Sequence, residues 1–74
     1  MTRQEFLSAM DNLLELSNGT LQGAEHLDDL ENWNSLAMVD FIALVDSDVG
    51  TNVSPRQIRD CETIDDLARL ARVE

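Results

Sequence analysis

The sequence predicts an all-α domain: a four-helix bundle with three main helices, one short helix and a long first loop. Three observations carry this expectation. Helix-opening patterns recur at Thr2-Arg3-Gln4-Glu5, Ser54-Pro55 and Thr63-Ile64-Asp65-Asp66, where hydroxyl and carboxylate oxygens can satisfy the unpaired amides of a first turn. Apolar residues return at three- and four-residue spacing, the period of a helix with one buried face. No strand-length alternation, internal repeat or low-complexity tract breaks the pattern.

The first helix opens at the capping box Thr2 to Glu5. Phe6, Met10, Leu13 and Leu14 form its inward stripe, and Asp11 and Glu15 are expected on its wet face. Ser17-Asn18-Gly19 is expected to end it. Residues 17–33 then form a long connection, for which Leu21, Leu27 and Leu30 are the natural anchors, and loops of this length are usually functional or disordered. Trp33 is expected to pack at the edge of the bundle.

The second helix is the most apolar part of the chain. It runs from Leu36 through Val49 to Gly50, and its polar side chains are Asp40, Asp46, Ser47 and Asp48. A helix apolar on most of its surface lies between others or offers apolar residues to a partner. Ser54-Pro55 supplies an N-cap and a first-turn proline for a short helix through Ile58. The last helix begins at Thr63-Ile64 and turns Ile64, Leu67, Leu70 and Ala71 inward. Arg69 and Arg72 lie near its C-terminus, where cations complement the helix dipole.

Size and charge narrow the function. A single domain of 74 residues buries only about 60% of the surface of its unfolded chain, so a few amphipathic helices must supply the core. The net charge is −10, and between Arg3 and Arg56 there are ten acidic residues and no lysine or arginine. Such a field repels nucleic acid and anionic membranes and attracts basic protein patches. No apolar run is long enough to span a bilayer, and no N-terminal signal pattern is present, so the cytosol is the expected compartment. Cys61 stands alone, which excludes an intramolecular disulfide. With Asp60 and Glu62 beside it and no histidine near in sequence, it reads as a small half-buried residue rather than a nucleophile.

Metal and enzyme chemistry find little purchase. Asp46-Ser47-Asp48-Val49-Gly50 has a superficial calcium-loop look, but Val49 precedes the glycine and Gln57 stands where a closing glutamate is needed. No metal site is expected. His26, the one histidine, sits in the long loop, and no His/Cys/Asp constellation marks a catalytic centre.

Ser35 is the residue that carries chemistry. It lies in Trp33-Asn34-Ser35-Leu36, where a polar loop gives way to an apolar helix. The unpaired amides and positive dipole end of such a junction hold a phosphodiester electrostatically. With the apolar helix Ala37 to Val49, Gly50 with Val53 beyond it, and the stretch Ile58 to Leu67 including Thr63-Ile64, the chain resembles the acyl carrier protein family over nearly its whole length.

That resemblance implies an acyl-carrier-like bundle and a non-catalytic role. In the family, a phosphopantetheinyl transferase moves 4′-phosphopantetheine from coenzyme A onto the serine hydroxyl, and acyl groups ride on the arm's thiol as thioesters. By resemblance Ser35 is the attachment site. Asn34, Leu36, Val39, Asp40 and Asp46 are then the candidate partner contacts, meeting basic docking patches on acyl-loading ligases or synthases. Charge-steered, short-lived encounters suit a shuttle. The expectation is a discrete monomeric carrier of acyl or aminoacyl groups for fatty-acid, polyketide or other pathways. The run Trp33 to Val39 lacks the acid-rich helix start of housekeeping fatty-acid carriers and points toward a specialised pathway. Many members have Asp before the serine where this chain has Asn34, which still caps a helix but brings no charge to the phosphodiester. The alternative from the residues themselves is an unmodified acidic helical interaction module, with Ser35 serving only as an N-cap.

Overall fold

A computed structural model describes residues 1–73. Among them are four α-helices and no strand: α1 (Arg3–Leu13), α2 (Ser35–Asp48), α3 (Pro55–Arg59) and α4 (Ile64–Leu70), with a single 3-10 turn at Leu27–Asp29. Consecutive helices pack on one another, α1 on α2, α2 on α3 and α3 on α4.

Three helix starts are fixed by reciprocal capping boxes. Thr2 pairs with Glu5, Ser54 with Gln57 and Thr63 with Asp66, each hydroxyl accepting the third amide of its helix while the third side chain accepts the amide of the cap. Each pair removes two unpaired donors from a helix end. The short α3 extends one residue beyond the expected Ile58, to Arg59.

The core is a continuous cluster to which every helix contributes. Phe6 and Met10 of α1, Phe41 and Val45 of α2, Ile58 of α3 and Ile64 and Leu67 of α4 are all almost completely buried. Phe6 and Phe41 meet edge-to-face with ring centroids 6.2 Å apart, a geometry that adds about 0.5–1.5 kcal/mol to the burial itself.

The first helix differs from expectation in two ways. It ends at Leu13, not at Ser17-Asn18-Gly19, because Glu15 adopts a left-handed φ of 60°. Leu16 N then donates to Asp11 O at 2.7 Å and Glu15 N to Asn12 O at 3.1 Å, the paired bonds of a Schellman stop. In addition Asp11, placed by periodicity on the wet face, is buried, with 2% of its surface exposed. Its carboxyl oxygens accept Gly19 N at 2.9 Å and Leu21 N at 3.0 Å, so a buried polar group is satisfied by loop amides, as burial requires. Leu7, also buried, lies one turn before Asp11 and widens the inward face of α1.

The long connection is ordered from end to end. Leu21 and Leu27 are buried and Leu30 is half-buried, as expected of anchors. Backbone bonds lace the connection to the start of α4: Leu27 N to Glu62 O at 2.8 Å, Ile64 N to Glu25 O at 3.1 Å and Asp65 N to Gly23 O at 2.8 Å, with an antiparallel bridge between His26 and Thr63. Arg3 donates to Gln22 O at 2.9 Å and lies 2.6 Å from Asp65 Oδ1. The second contact is ionic, without the angle of a hydrogen bond. Gly23 stands between these two side chains at φ 119°, where a Cβ would collide with both.

Candidate functional site

Ser35 is the first residue of α2 and is exposed. The three residues before it are each fixed by a different partner. Asn32 Nδ2 donates to Leu14 O at 2.6 Å, tying the approach to the end of α1. Trp33 N donates to Leu30 O at 3.1 Å, and its ring meets Phe41 edge-to-face at 6.3 Å, joining the Phe41–Phe6 pair in the core. Asn34 is the N-cap, its Oδ1 accepting Ala37 N at 3.0 Å. Ser35 therefore stands on a base held at each of its last three residues although it follows a 21-residue connection numbered 14–34.

The capping assignment corrects one sequence-derived alternative. Ser35 is not the N-cap of α2, because Asn34 performs that duty. Among the described residues the Ser35 hydroxyl enters no hydrogen bond, and the amides of Ser35 and Leu36 have no acceptor, since the first bonds of the helix are made by Ala37 N and Met38 N. Two free donors and the positive end of a 14-residue helix thus surround an accessible hydroxyl. This is a suitable seat for a phosphodiester on Ser35 Oγ.

The other candidate contact residues lie on the exposed side of the same helix. Leu36 is 71% and Val39 60% exposed, the two large apolar residues most open to solvent, and Asp40 and Asp46 are exposed. A turn of about 100° per residue puts Ser35, Val39, Ile42 and Asp46 on one stripe and Leu36, Asp40, Ala43 and Ser47 on the next. The core stripe is Ala37, Phe41 and Val45. Of the ten carboxylates between Arg3 and Arg56, eight are exposed, Glu25 is half-buried and Asp11 buried. The acidic surface expected of the chain's middle is real apart from these two.

Among the described residues no hydrogen bond joins the Ser35 hydroxyl to a base. His26 is held beside Thr63 by the bridge at the start of α4, and no hydrogen bond connects it to the serine. Cys61 is half-buried, with its thiol 3.5 Å from Gln57 O. Burial, followed by the charges of Asp66 and Asp60, pushes its pKa up, so it is a poor nucleophile at neutral pH. Among the described residues no three His, Cys, Asp or Glu side chains gather in a metal-binding group, and no helix is long and apolar enough to cross a membrane.

Asn32 was not marked by the sequence. Its partner carbonyl is 18 residues away, and no spacing rule reaches that far. Comparison with family models, curated proteins and solved structures finds no match to the chain.

Proposed function

We propose that this chain is a phosphopantetheine-dependent acyl carrier with the acyl-carrier arrangement of helices, and that Ser35 is its attachment residue. The observation that carries the reading is the exposed Ser35 hydroxyl, free of capping duty, at the start of α2 on a base fixed by Asn32, Trp33 and Asn34. The arm, when bound, supplies a thiol on which an acyl or aminoacyl group is held as a thioester and presented to partner enzymes.

The protein's own part is to bind and present. Ser35 Oγ would form the new bond to the pantetheine-side phosphorus of coenzyme A as the pyrophosphate link breaks, adenosine 3′,5′-bisphosphate leaving and the hydroxyl proton passing to the transferase. The amides of Ser35 and Leu36, left without acceptors among the described residues, would be free to hold an attached phosphate, and the helix dipole would add to their attraction. Leu36 and Val39 give a transferase or loading enzyme an apolar contact, and Asp40 and Asp46 pair with its Lys or Arg side chains. Cytosolic, monomeric action with a transferase and acyl-loading ligases or synthases completes the proposal.

The test is intact mass after incubation with coenzyme A, magnesium and a broad-specificity phosphopantetheinyl transferase, followed by peptide mapping. One phosphopantetheine on Ser35 supports the carrier. No gain with several transferases favours the unmodified interaction module, in which the exposed leucine and valine serve a permanent partner.

A further inference from the structure

Asn18 is the one asparagine of the chain that precedes a glycine. Asn18 and Gly19 are exposed and form the tip of a β-turn, in which Thr20 N donates to Ser17 O at 3.1 Å and Thr20 Oγ1 to the same oxygen at 2.6 Å. Gly19 has φ 88° while Asn18 keeps a negative φ, the signature of a type II turn. Nothing lies within 4 Å of the place a Gly19 Cβ would occupy, so no atom shields the Asn18–Gly19 peptide on that side. The Gly19 amide is nevertheless committed. It donates to Asp11 Oδ2 at 2.9 Å, and the Gly19 carbonyl accepts Gln22 Nε2 at 3.3 Å. Asp11 is buried, and it shares with Asn18 the lining of a cavity beside α1.

We propose that Asn18 is a latent self-modification site, a deamidation site that the fold keeps closed through Asp11. The co-reactant is water. The Gly19 nitrogen, giving its proton to solvent hydroxide, bonds to Asn18 Cγ; the Cγ–Nδ2 bond breaks and ammonia leaves with a proton drawn from water. Water then opens the five-membered imide at one of its two carbonyls and leaves aspartate or isoaspartate at position 18. Two features of the fold oppose the first step. Asp11 binds the proton that Gly19 must lose and anchors its nitrogen. A type II turn has ψ of about +120° at its second residue, which rotates the Gly19 nitrogen away from Asn18 Cβ, whereas ring closure needs the two eclipsed. Local opening of the loop releases both restraints at once.

The product alters the first part of the loop that leads to Ser35. Isoaspartate inserts an extra carbon into the main chain between Ser17 and Thr20, the span that the turn closes, and either product sets a new carboxyl beside that of Asp11 in the same cavity. Gly19 N and Leu21 N are the two amides that Asp11 accepts. The change therefore falls on that tether and spares the Asn32, Trp33 and Asn34 contacts that hold the approach to Ser35. The inference stands whether or not Ser35 is modified.

The experiment follows the full chain at neutral pH by intact mass and peptide mapping, folded and in guanidinium chloride, beside amide hydrogen exchange of the folded protein. Deamidation at Asn18 is expected to proceed readily in guanidinium and to be slowed in the fold by a factor that tracks the protection of the Gly19 amide, well short of the larger protection at Phe41. Asp11→Ala, shown to be folded by circular dichroism, removes the acceptor, and both deamidation at Asn18 and exchange at Gly19 should accelerate at least about fivefold. Equal rates folded and in guanidinium, slowing that matches Phe41 instead of Gly19, a folded Asp11→Ala that reacts no faster, or no reaction at Asn18 in guanidinium would each overturn the proposal. The comparison within the parent decides the matter even if Asp11→Ala fails to fold.

Discussion

Asn34 Oδ1 accepts the Ala37 amide at 3.0 Å and so performs the capping that would otherwise fall to its neighbour Ser35. The division of labour separates stability from chemistry at adjacent positions. Ser35→Ala is expected to abolish phosphopantetheine loading in the mass assay while changing unfolding free energy by no more than about 0.5 kcal/mol. A urea midpoint far below the parent's would mean that the hydroxyl has a structural duty after all.

The cap itself is predicted to tolerate charge but not truncation. Asn34→Ala removes the acceptor for Ala37 N and should cost about 1 kcal/mol. Asn34→Asp keeps the acceptor and adds a negative charge at the positive end of α2, which is favourable there. It should stay folded and be modified at least as well as the parent. A transferase assay in which Asp clearly slows modification would count against the carrier reading of this junction.

Asp11 holds the first part of the long loop by two backbone bonds, to Gly19 and Leu21. Asp11→Ala leaves both amides without their partner, one of them buried, and should destabilise by about 2–3 kcal/mol in urea unfolding. Hydrogen exchange at Gly19 and Leu21 should rise more than exchange at Phe41, because the tether is local to the loop.

What could be read from the sequence was what is encoded locally. Thr2 with Glu5, Ser54 with Gln57 and Thr63 with Asp66 lie three residues apart, so the helix starts were legible from spacing alone. Leu21 and Leu27 were legible as anchors because an isolated leucine in a polar loop has little reason to stay in water. Asp11 was misplaced because its burial is satisfied by residues eight and ten positions later, although Leu7 one turn earlier hinted at a wider buried face. The His26–Thr63 bridge and the Asn32 contact with Leu14 are likewise products of tertiary approach. At the start of α2, the exposed positions of Ser35, Leu36 and Val39 follow the polar-to-apolar junction.

Glu15 explains why the end of α1 was read too late. A left-handed stop is normally announced by glycine, but here Glu15 takes φ 60° in that role, and Arg72 takes φ 59° after α4. A side chain in this region costs about 1 kcal/mol or more, offset in part by the greater backbone freedom that glycine loses on folding. Glu15→Gly is therefore expected to stabilise by up to about 1 kcal/mol in urea unfolding. Glu15→Val, β-branched at the same φ, should destabilise.

The loop carboxylate Glu25 gives the fold a dependence on acid with a definite sign. Partial burial opposes its ionisation, but the amides of Gln22 and Gly23, each donating at 2.8 Å, outweigh burial and hold its pKa below the ordinary 4.5. A carboxyl with a depressed folded pKa contributes stability that is fully present above its unfolded pKa and is lost as pH falls through the folded value. Net stability also reflects the −10 charge, whose self-repulsion is relieved by acid, so the raw pH curve mixes two opposed effects. Comparing the parent with Glu25→Gln isolates the first, because a glutamine has no charge to lose. The parent should be the more stable protein at about pH 7, and the gap should close on going to about pH 2.5. A gap that stays constant across that range would mean that the two amides depend on the shape of the side chain rather than on its charge.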